Sequence, residues 1–309
     1  MTRFLVTGAS GLLGLNFALA AAQRNHAVTG LVHRNRVHSA PFAVAAADLT
    51  APGEIDRLLD EVRPEVIVHC AAMAILDECE AQPEQAQKVN AEAPGVLARA
   101  AACRAIRLVH ISTDSVFDGQ VGHYAETDEP HPISVYARTK LAGERAVQAA
   151  DPSALVARVN FYGWSLKGRR SLAEFFYNHL VAGQPVNGFT DVYFCPLLVN
   201  DLAEILLEMI ERHLEGLYHV YSAECLSKHE FGCRLARVFG LDETLVRPVS
   251  HEEGGLLAAR SPNLTMDVSK LSAALGHPLP GQDSGIRRFY ELHRQGFPEQ
   301  LRALFGEPV

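Results

Sequence analysis

Three side chains of this sequence have the types and the spacing needed to reduce a carbonyl group: Thr113, Tyr136 and Lys140. Tyr136 and Lys140 are four residues apart in a segment with a helical pattern, so both lie on one face of the predicted helix. A phenol with a pKa of about 10 is a weak acid–base catalyst at neutral pH. We therefore expect the Lys140 ammonium, together with the positive charge of an oxidised nicotinamide, to lower the pKa of Tyr136.

Thr113 follows the apolar segment 107–112, which predicts a strand of a parallel sheet. Open α/β proteins bind their ligands at the carboxyl ends of such strands. A hydroxyl group at this position can hold a carbonyl oxygen as negative charge develops on it. Ser112 is the neighbouring candidate for the same role, and the residues alone leave open which of the two side chains faces the site.

A glycine motif follows directly after the short apolar run Phe4-Leu5-Val6. A strand that ends at glycine and continues as a helix presents backbone N–H groups to a pyrophosphate. The alternative is a tight turn without a ligand, but the position between a strand and a helix favours dinucleotide binding. The residues predicted to contact the cofactor here are Gly8, Ser10, Gly11, Leu12, Leu13 and Gly14.

The end of the second predicted strand indicates which nicotinamide is used. An NAD site usually carries an acidic residue here, and the segment 28–36 contains none. Arg34 and Arg36 suit a 2′-phosphate instead, unless they merely solvate a loop. We therefore predict NADP(H), with His33 beside Arg34 at this end of the cofactor.

Asp48 and Leu49 follow the third predicted strand and are assigned to the adenine end of the cofactor. The Asp48 carboxylate could accept a hydrogen bond from the adenine amino group. It could equally serve as a plain helix N-cap, a role that requires no ligand.

The composition predicts an ordinary soluble globular protein with one large domain or two. Of the 309 residues, 48% are hydrophobic and 21% are charged. The net charge of −8 argues against nucleic acid as a partner. No run reaches the roughly 18 apolar residues that span a bilayer, so no membrane association is expected.

The cysteines and the N-terminal segment bear on the compartment. Six cysteines show neither a paired motif nor zinc-ligand spacing, so we expect buried free thiols and a cytoplasmic protein. Arg3 and the apolar stretch ending at Ala22 imitate a signal peptide. The recurring glycines, the interruptions at Thr7, Ser10 and Asn16, and a second strand directly afterwards favour a structural segment.

Strand-like and helical segments alternate in the first half of the chain. Strands are predicted at Phe4–Thr7, Ala27–Val32, Phe42–Ala46, Val66–Cys70, Arg107–Ser112, Leu155–Asn160 and Leu217–Tyr221. Helices are predicted at Leu12–Arg24, Glu54–Val62, Glu84–Cys103, Ser134–Ala149, Leu172–Ala182, Asn200–His213, Lys228–Phe239 and Ile286–Gln295. This alternation predicts an α/β fold, a Rossmann-like doubly wound parallel sheet.

The rhythm changes after about residue 163. We predict an NADP-binding domain at residues 1–165, to which residues 190–225 return. Residues 166–189 and 226–309 would form a small substrate-binding cap that is irregular and rich in loops, because proline and glycine are frequent there.

The glycine motif, the pair Tyr136 and Lys140, and the hydroxyl residue 23 positions before the tyrosine resemble the extended short-chain dehydrogenase/reductases. Longer segments resemble the dTDP-4-dehydrorhamnose reductase branch of that family. They are His69-Cys70-Ala71-Ala72-Met73, Val89-Asn90-Ala91, the segment 111–119 (ISTDSVFDG), the segment 124–128 (YAETD) and the segment 260–267 (RSPNLTMD). The resemblance covers nearly the whole chain and is strongest in the first 165 residues.

The resemblance implies that Thr113, Tyr136 and Lys140 form the catalytic triad. It favours Thr113 over Ser112, because Thr113 stands three residues before Val116, as the family's catalytic hydroxyl does. Residues implied along the cofactor are Cys70, Ala71, Ala72 and Asn90, besides Tyr136 and Lys140. Residues implied at the substrate are Met73, Asp114, Ser115 and Arg260. The diphosphate of such a substrate needs cations, for which Lys167, Arg169 and Arg170 of the predicted cap are further candidates, unless they only form a solvated charged loop.

The sequence also departs from the branch. Ser115 and Met73 stand where the rhamnose reductases usually or often have an aromatic residue, which puts the particular sugar in doubt. Asn16 replaces an acidic residue that helps some members bind magnesium, so we predict no metal. Asp114 is followed by Ser115 rather than by the glutamate of the dehydratases, which argues against elimination of water.

We therefore expect an NADPH-dependent reductase of a nucleotide-linked 4-keto sugar. One alternative is a sugar-nucleotide epimerase that keeps NAD bound. The other is a non-catalytic NADP-binding regulatory subunit like the β subunit of methionine adenosyltransferase. A homodimer is compatible with the sequence, which does not determine the oligomeric state.

Overall fold

A computed structural model describes residues 1–33, 37–254 and 261–304 of the chain. The strands are, in chain order, β1 (Arg3–Thr7), β2 (Ala27–Val32), β3 (Ala43–Ala46), β4 (Val66–His69), β5 (Arg107–Thr113), β6 (Leu155–Val159), β7 (Phe161–Tyr162), β8 (Val186–Phe189), β9 (Tyr193–Phe194), β10 (Leu197–Leu198), β11 (Gly216–Val220), β12 (Leu226–Ser227), β13 (Val246–Val249) and β14 (Asn263–Leu264). The α-helices are α1 (Leu12–Gln23), α2 (Glu54–Val62), α3 (Leu76–Ala81), α4 (Pro83–Gln87), α5 (Ala93–Ala102), α6 (Val135–Ala150), α7 (Leu172–Val181), α8 (Val199–Glu211), α9 (Lys228–Phe239), α10 (Ser269–Leu275), α11 (Gln282–Arg294) and α12 (Phe297–Ala303).

Seven parallel strands form the central sheet in the order β11-β6-β5-β4-β1-β2-β3. This sheet confirms the predicted Rossmann-like α/β fold. The strand order reverses between the neighbours β1 and β4, because the chain proceeds to one side from β1 and to the other side from β4. Such a reversal opens a crevice at the carboxyl ends of the strands, where ligands of this architecture bind.

Alternation along β5 shows how the two faces of the sheet are covered. Val109 and Ile111 belong to the core that α1 and α8 form on one face. Leu108 belongs to the core on the other face, with Val147 of α6 and residues of α2 and α5. Burial on both faces explains why these strands are apolar without an alternating pattern.

A second core lies under α7, α9, α11 and α12. It includes Trp164 and Phe289, whose rings are stacked 4.0 Å apart, and Phe231. Short strands accompany it as a three-stranded sheet, β12-β9-β14, and a pair, β13-β8. The segments predicted to be irregular and rich in loops therefore also contain short strand pairings, which leave little periodicity in the sequence. The division into two domains stays a prediction.

The helix predicted at Glu84–Cys103 is interrupted. A π-helical turn at Lys88–Glu92 separates α4 from α5. The backbone of α6 lies very close to this turn. A Cβ atom at Gly143 of α6 would lie 2.2 Å from the carbonyl oxygen of Asn90. Helical periodicity hides such a turn, since one inserted residue barely changes the pattern.

Buried free thiols are confirmed for Cys79 and Cys233, whereas Cys70 is a free thiol that is only half-buried and the prediction was wrong for three residues. Cys195 and Cys225 form a disulfide, with their Cα atoms 4.1 Å apart. The antiparallel pairing of Phe194 with Leu226 makes these cysteines cross-strand neighbours, although 30 residues separate them. Cys103 is a free thiol but exposed. Over the described ranges 1–33, 37–254 and 261–304, no helix is long and apolar enough to cross a bilayer.

Candidate active site

The candidate site lies where β5 ends and α6 begins. β5 ends at Thr113 and continues into a 3₁₀ turn at Asp114–Val116. Ser134 caps α6, and its hydroxyl oxygen accepts a hydrogen bond from the Ala137 backbone N–H at 3.2 Å. The cap lies two residues before Tyr136, so Tyr136 is the second residue of α6, and its phenol lies at the end of β5.

Thr113 links the tyrosine to a buried carboxylate. Its hydroxyl donates to Oδ1 of Asp114 at 3.0 Å, accepts from the Ser115 backbone N–H at 3.2 Å and lies close enough to the Tyr136 phenol to lower the pKa of that phenol. Asp114 is 2% exposed, and its carboxylate also accepts from the Ser115 hydroxyl and from Asn160 Nδ2. The structure thus brings Thr113 and Tyr136 together as predicted.

Lys140 lies one helical turn after Tyr136 and is 3% exposed. Its Nζ donates to the carbonyl oxygen of Ile111 in β5 at 2.7 Å. Burial lowers the pKa of Lys140 to about 8, with the charge of Glu144 acting in the opposite direction. An ammonium with this pKa is still largely charged at pH 7, which leaves donors for the hydroxyl groups of a ribose.

The expected lowering of the Tyr136 pKa included the charge of an oxidised nicotinamide and stays a prediction, and the protein by itself shifts this pKa in the other direction. Burial raises the pKa of Tyr136 to about 12, the charge of Asp114 adds to the increase, and the hydrogen bond with Thr113 opposes it. The physical reason is the burial of the phenol, because a charged phenolate is costly away from water. A phenol with a raised pKa carries its proton at neutral pH, as an acid in the reductive direction must.

Ser112 and Thr113 have different surroundings. Alternate side chains of a strand point to the same side. Ser112 therefore lies on the same face of β5 as Leu108, which is the face that α6 covers. Its side chain is 3% exposed, and among the described residues its hydroxyl has no hydrogen-bond partner. Of these two hydroxyls, only that of Thr113 acts on the phenol among the described residues, which favours it as the hydroxyl of the site.

The three glycines allow the loop after β1 to close tightly. Gly8 has φ of +68°, and a Cβ atom there would lie 2.9 Å from the backbone of Ala71. A Cβ atom at Gly14 would lie 2.4 Å from the carbonyl oxygen of Gly8, and one at Gly11 would lie 3.1 Å from it. Gly11 precedes α1, and no side chain caps this N-terminus. Bare backbone at a helix N-terminus fits a pyrophosphate.

We expect Gly14→Ala to weaken NADPH binding at least about tenfold, because the added methyl group collides with backbone atoms that cannot rotate away. Fluorescence titration with NADPH measures the effect. Gly281→Ala is the matched control, because its methyl group would make an ordinary 3.6 Å contact. Equal affinities of the two variants would contradict a role of this loop in cofactor binding.

The segment after β4 packs directly against the glycine loop, since Gly8 closely approaches the backbone of Ala71. The Ala71 N–H donates to Thr7 Oγ1 of β1 at 3.1 Å. Asn90, in the π-helical turn, accepts from the Met73 N–H and donates to the Met73 carbonyl, both at 2.9 Å. Its amide also donates to Thr139 Oγ1 at 3.2 Å, so Asn90 ties residue 73 to the helix of the triad. Cys70 and Ala72 lie in the same segment, half-buried and exposed respectively.

The adenine end is described only in part. Asp48 Oδ1 accepts from the backbone and the hydroxyl of Thr50, and Oδ2 lies 3.9 Å from His33 Nε2. The N-cap interpretation of Asp48 was wrong, because α2 begins after Gly53. Leu49 packs against the core beneath α2. Arg34 and Arg36 lie outside the described residues.

The predicted substrate residues are only partly brought together. Asp114 and Ser115 adjoin Thr113, and Met73 lies in the segment after β4, where it is held by Asn90. Arg260 lies outside the described residues. Asn16 uses its amide within the fold, donating to the carbonyl of Leu12 at 2.8 Å and accepting from Asn200 at 3.1 Å.

Sequence reasoning missed two groups of residues near the site. Asn160 directly follows β6 and hydrogen-bonds to Asp114. Glu144 lies one turn after Lys140 and forms a buried ion pair with Arg158 of β6. The spacing of four residues between Lys140 and Glu144 is a signal that could have identified the second group.

The family model for the RmlD substrate binding domain matches residues 2–294. The chain belongs to this family. Its resemblance to the dTDP-4-dehydrorhamnose reductases among the extended short-chain dehydrogenase/reductases is thereby confirmed, since the dTDP-4-dehydrorhamnose reductase of Mycolicibacterium smegmatis is 33% identical over 89% of the chain and 80% of that protein.

Other members of the family have different names. The probable low-salt glycan biosynthesis reductase Agl14 of Haloferax volcanii is 36% identical over 89% of this chain and 93% of its own length. Methionine adenosyltransferase 2 subunit beta of Xenopus laevis is 33% identical over 87% and 81% respectively. Among solved structures, the dTDP-4-dehydrorhamnose reductase of Bacillus anthracis in complex with NADP has a TM-score of 0.80 and 26% identity, covering 94% of this chain and 99% of that one.

Proposed function

We propose that this protein is an NADPH-dependent reductase of a nucleotide-linked 4-keto sugar. The observation that carries the proposal is the contact between Thr113 and Tyr136 at the carboxyl end of β5, with Lys140 one turn further along α6. A relative named as a glycan biosynthesis reductase and a solved reductase with bound NADP support the same conclusion.

In this mechanism, bound NADPH supplies the hydride for the keto carbon. Tyr136 donates its phenolic proton to the keto oxygen. Thr113 orients that oxygen, and its hydroxyl must rotate away from Asp114 to donate to it. Lys140 holds the nicotinamide ribose and provides the positive charge that stabilises the tyrosinate left after proton transfer. Met73 and Ser115 border the sugar, and Arg260 together with Lys167, Arg169 and Arg170 supplies the cations for the diphosphate.

The first experiment offers a panel of nucleotide 4-keto sugars with NADPH and follows the nicotinamide absorbance. Stoichiometric oxidation of NADPH with formation of the hydroxy sugar is the expected result. An epimerase would interconvert sugars without net oxidation of added NADPH. Product formation without NADPH consumption would therefore exclude the proposed reduction.

We expect kcat/KM to favour NADPH over NADH by at least about tenfold, or roughly 1.4 kcal/mol, because Arg34 stands where an acidic residue would select NAD. Arg34→Ala should shrink this preference. Arg212→Ala is the control, since that exposed guanidinium pairs with Glu208 on α8. An enzyme indifferent to the 2′-phosphate would contradict the cofactor assignment.

A second candidate function is that of a regulatory subunit, which the similarity to methionine adenosyltransferase 2 subunit beta favours. Size-exclusion chromatography with a methionine adenosyltransferase catalytic subunit tests it. A stable complex that forms while every keto sugar fails to oxidise NADPH would favour the regulatory role.

A further inference from the structure

A buried ion pair joins α6, the helix that carries Tyr136 and Lys140, to the strand β6. Glu144 of α6 and Arg158 of β6 are each only 3% exposed at the side chain. Arg158 Nε lies 3.0 Å from Oε1 and 3.3 Å from Oε2 of Glu144, and Arg158 Nη2 lies 2.8 Å from Oε2. This two-pronged geometry fixes the orientation of the carboxylate as well as its position.

Arg158 is itself held on several sides. It pairs in the sheet with Ser112 of β5 and with His219 of β11. Its guanidinium lies 5.1 Å from the centre of the Phe117 ring, and Nη1 lies 3.5 Å from Nε2 of His219. The Arg158 guanidinium is therefore a fixed anchor for Glu144.

The anchored carboxylate lies one helical turn from Lys140. Residues four apart on a helix share a face, and both side chains are buried. A buried ammonium is costly without a nearby negative charge. Since Arg158 restrains Glu144, the carboxylate cannot turn away to water, and its charge acts on Lys140 permanently.

Other titratable groups face this region, and they do not replace the carboxylate. His69 and His110 lie within electrostatic reach of Lys140 on β4 and β5, are fully buried, and burial lowers the pKa of each, so both are neutral. Burial raises the pKa of Cys70 to about 12, which keeps that thiol neutral as well. Among the described residues, His219, Tyr221 and Glu126 also lie near the ion pair. Asp114 and Cys79 lie near Tyr136. The charged side chains of α3 to α5 are exposed.

We propose that Glu144, held in place by Arg158, is a positioning residue that keeps Lys140 in its charged form at the active site. The catalytic consequence rests on the proposed function, because only a reductase needs this ammonium for the ribose and for the tyrosinate. The electrostatic effect of Glu144 on Lys140 depends only on the protein and can be measured without substrate or cofactor.

The test is a pH titration of Lys140 by NMR in protein labelled with [13Cε]lysine. The chain has five lysines, so comparison with Lys140→Met identifies the resonance. The wild-type pKa is expected at about 8. Glu144→Gln removes the negative charge and leaves the Arg158 cation, so the pKa of Lys140 should fall by about one unit, a tenfold change in the protonation equilibrium.

Two further variants keep the test decisive. The double variant Glu144→Gln/Arg158→Gln removes both charges and retains similar volume, so it should lower the pKa of Lys140 by less than the single change does. It decides the question if Glu144→Gln does not fold. Glu174→Gln is the matched control, because it removes a fully buried carboxylate from α7 and should leave Lys140 unchanged. A Lys140 pKa equal to wild type in both Glu144 variants would overturn the proposal.

Activity provides a separate measurement. The charged form of Lys140 is lost as pH rises through its pKa, so Glu144→Gln should lose activity about tenfold relative to wild type on the alkaline side and little near pH 6. A loss of equal size at every pH would indicate a merely structural role and overturn the proposal. If no keto sugar is reduced by any variant, the proposed function fails while the NMR result still stands.

Discussion

Replacing Tyr136 with phenylalanine is expected to lower kcat by a factor on the order of 10²–10⁴, the typical contribution of general acid catalysis. The phenol carries its proton at neutral pH, because burial raises its pKa to about 12, and the variant has no other acid at this position. NADPH affinity should stay nearly unchanged, since Lys140 is held by the Ile111 carbonyl rather than by the phenol.

Steady-state reduction of the keto sugar and NADPH titration together measure this prediction. Arg138→Ala is a suitable control, because that exposed residue lies on the same helix two positions further along. A Tyr136→Phe variant with more than about a tenth of wild-type turnover would show that the tyrosine is only a helix residue.

Replacing Thr113 with valine should cost about 2–4 kcal/mol in kcat/KM through loss of a donor to the developing oxyanion. Valine is similar in size, so the buried position stays filled. The change also removes the hydrogen bond to Asp114 and the interaction of the hydroxyl with the Tyr136 phenol. The loss should therefore appear mainly in kcat.

Ser112→Ala is the matched comparison at the neighbouring position. Its hydroxyl is buried without a hydrogen-bond partner among the described residues, so its removal should leave kcat/KM unchanged and not lower the free energy of unfolding. Kinetics and thermal unfolding of both variants check the pair. If Ser112→Ala costs more catalysis than Thr113→Val, the assignment of the hydroxyl is shifted by one residue.

The sequence by itself determined the elements that build the crevice. Buried parallel strands are continuous apolar runs, and the glycines of the first turn fall between a strand and a helix, so both signals are local. They predicted the Rossmann-like sheet, with α2 and α9 at the bounds observed. The four-residue spacing of Tyr136 and Lys140 was likewise sufficient to place both on one helix.

Only the tertiary structure decided what surrounds those groups. Burial raises the pKa of Tyr136, and Lys140 donates to the Ile111 carbonyl; both follow from packing between β5 and α6. The π-helical turn depends on contact with α6, and the pair Cys195–Cys225 on the register of β9 and β12. The ion pair of Glu144 and Arg158 joins a helix to a strand. Such effects arise from contacts between distant segments, which residue types and spacing do not encode locally.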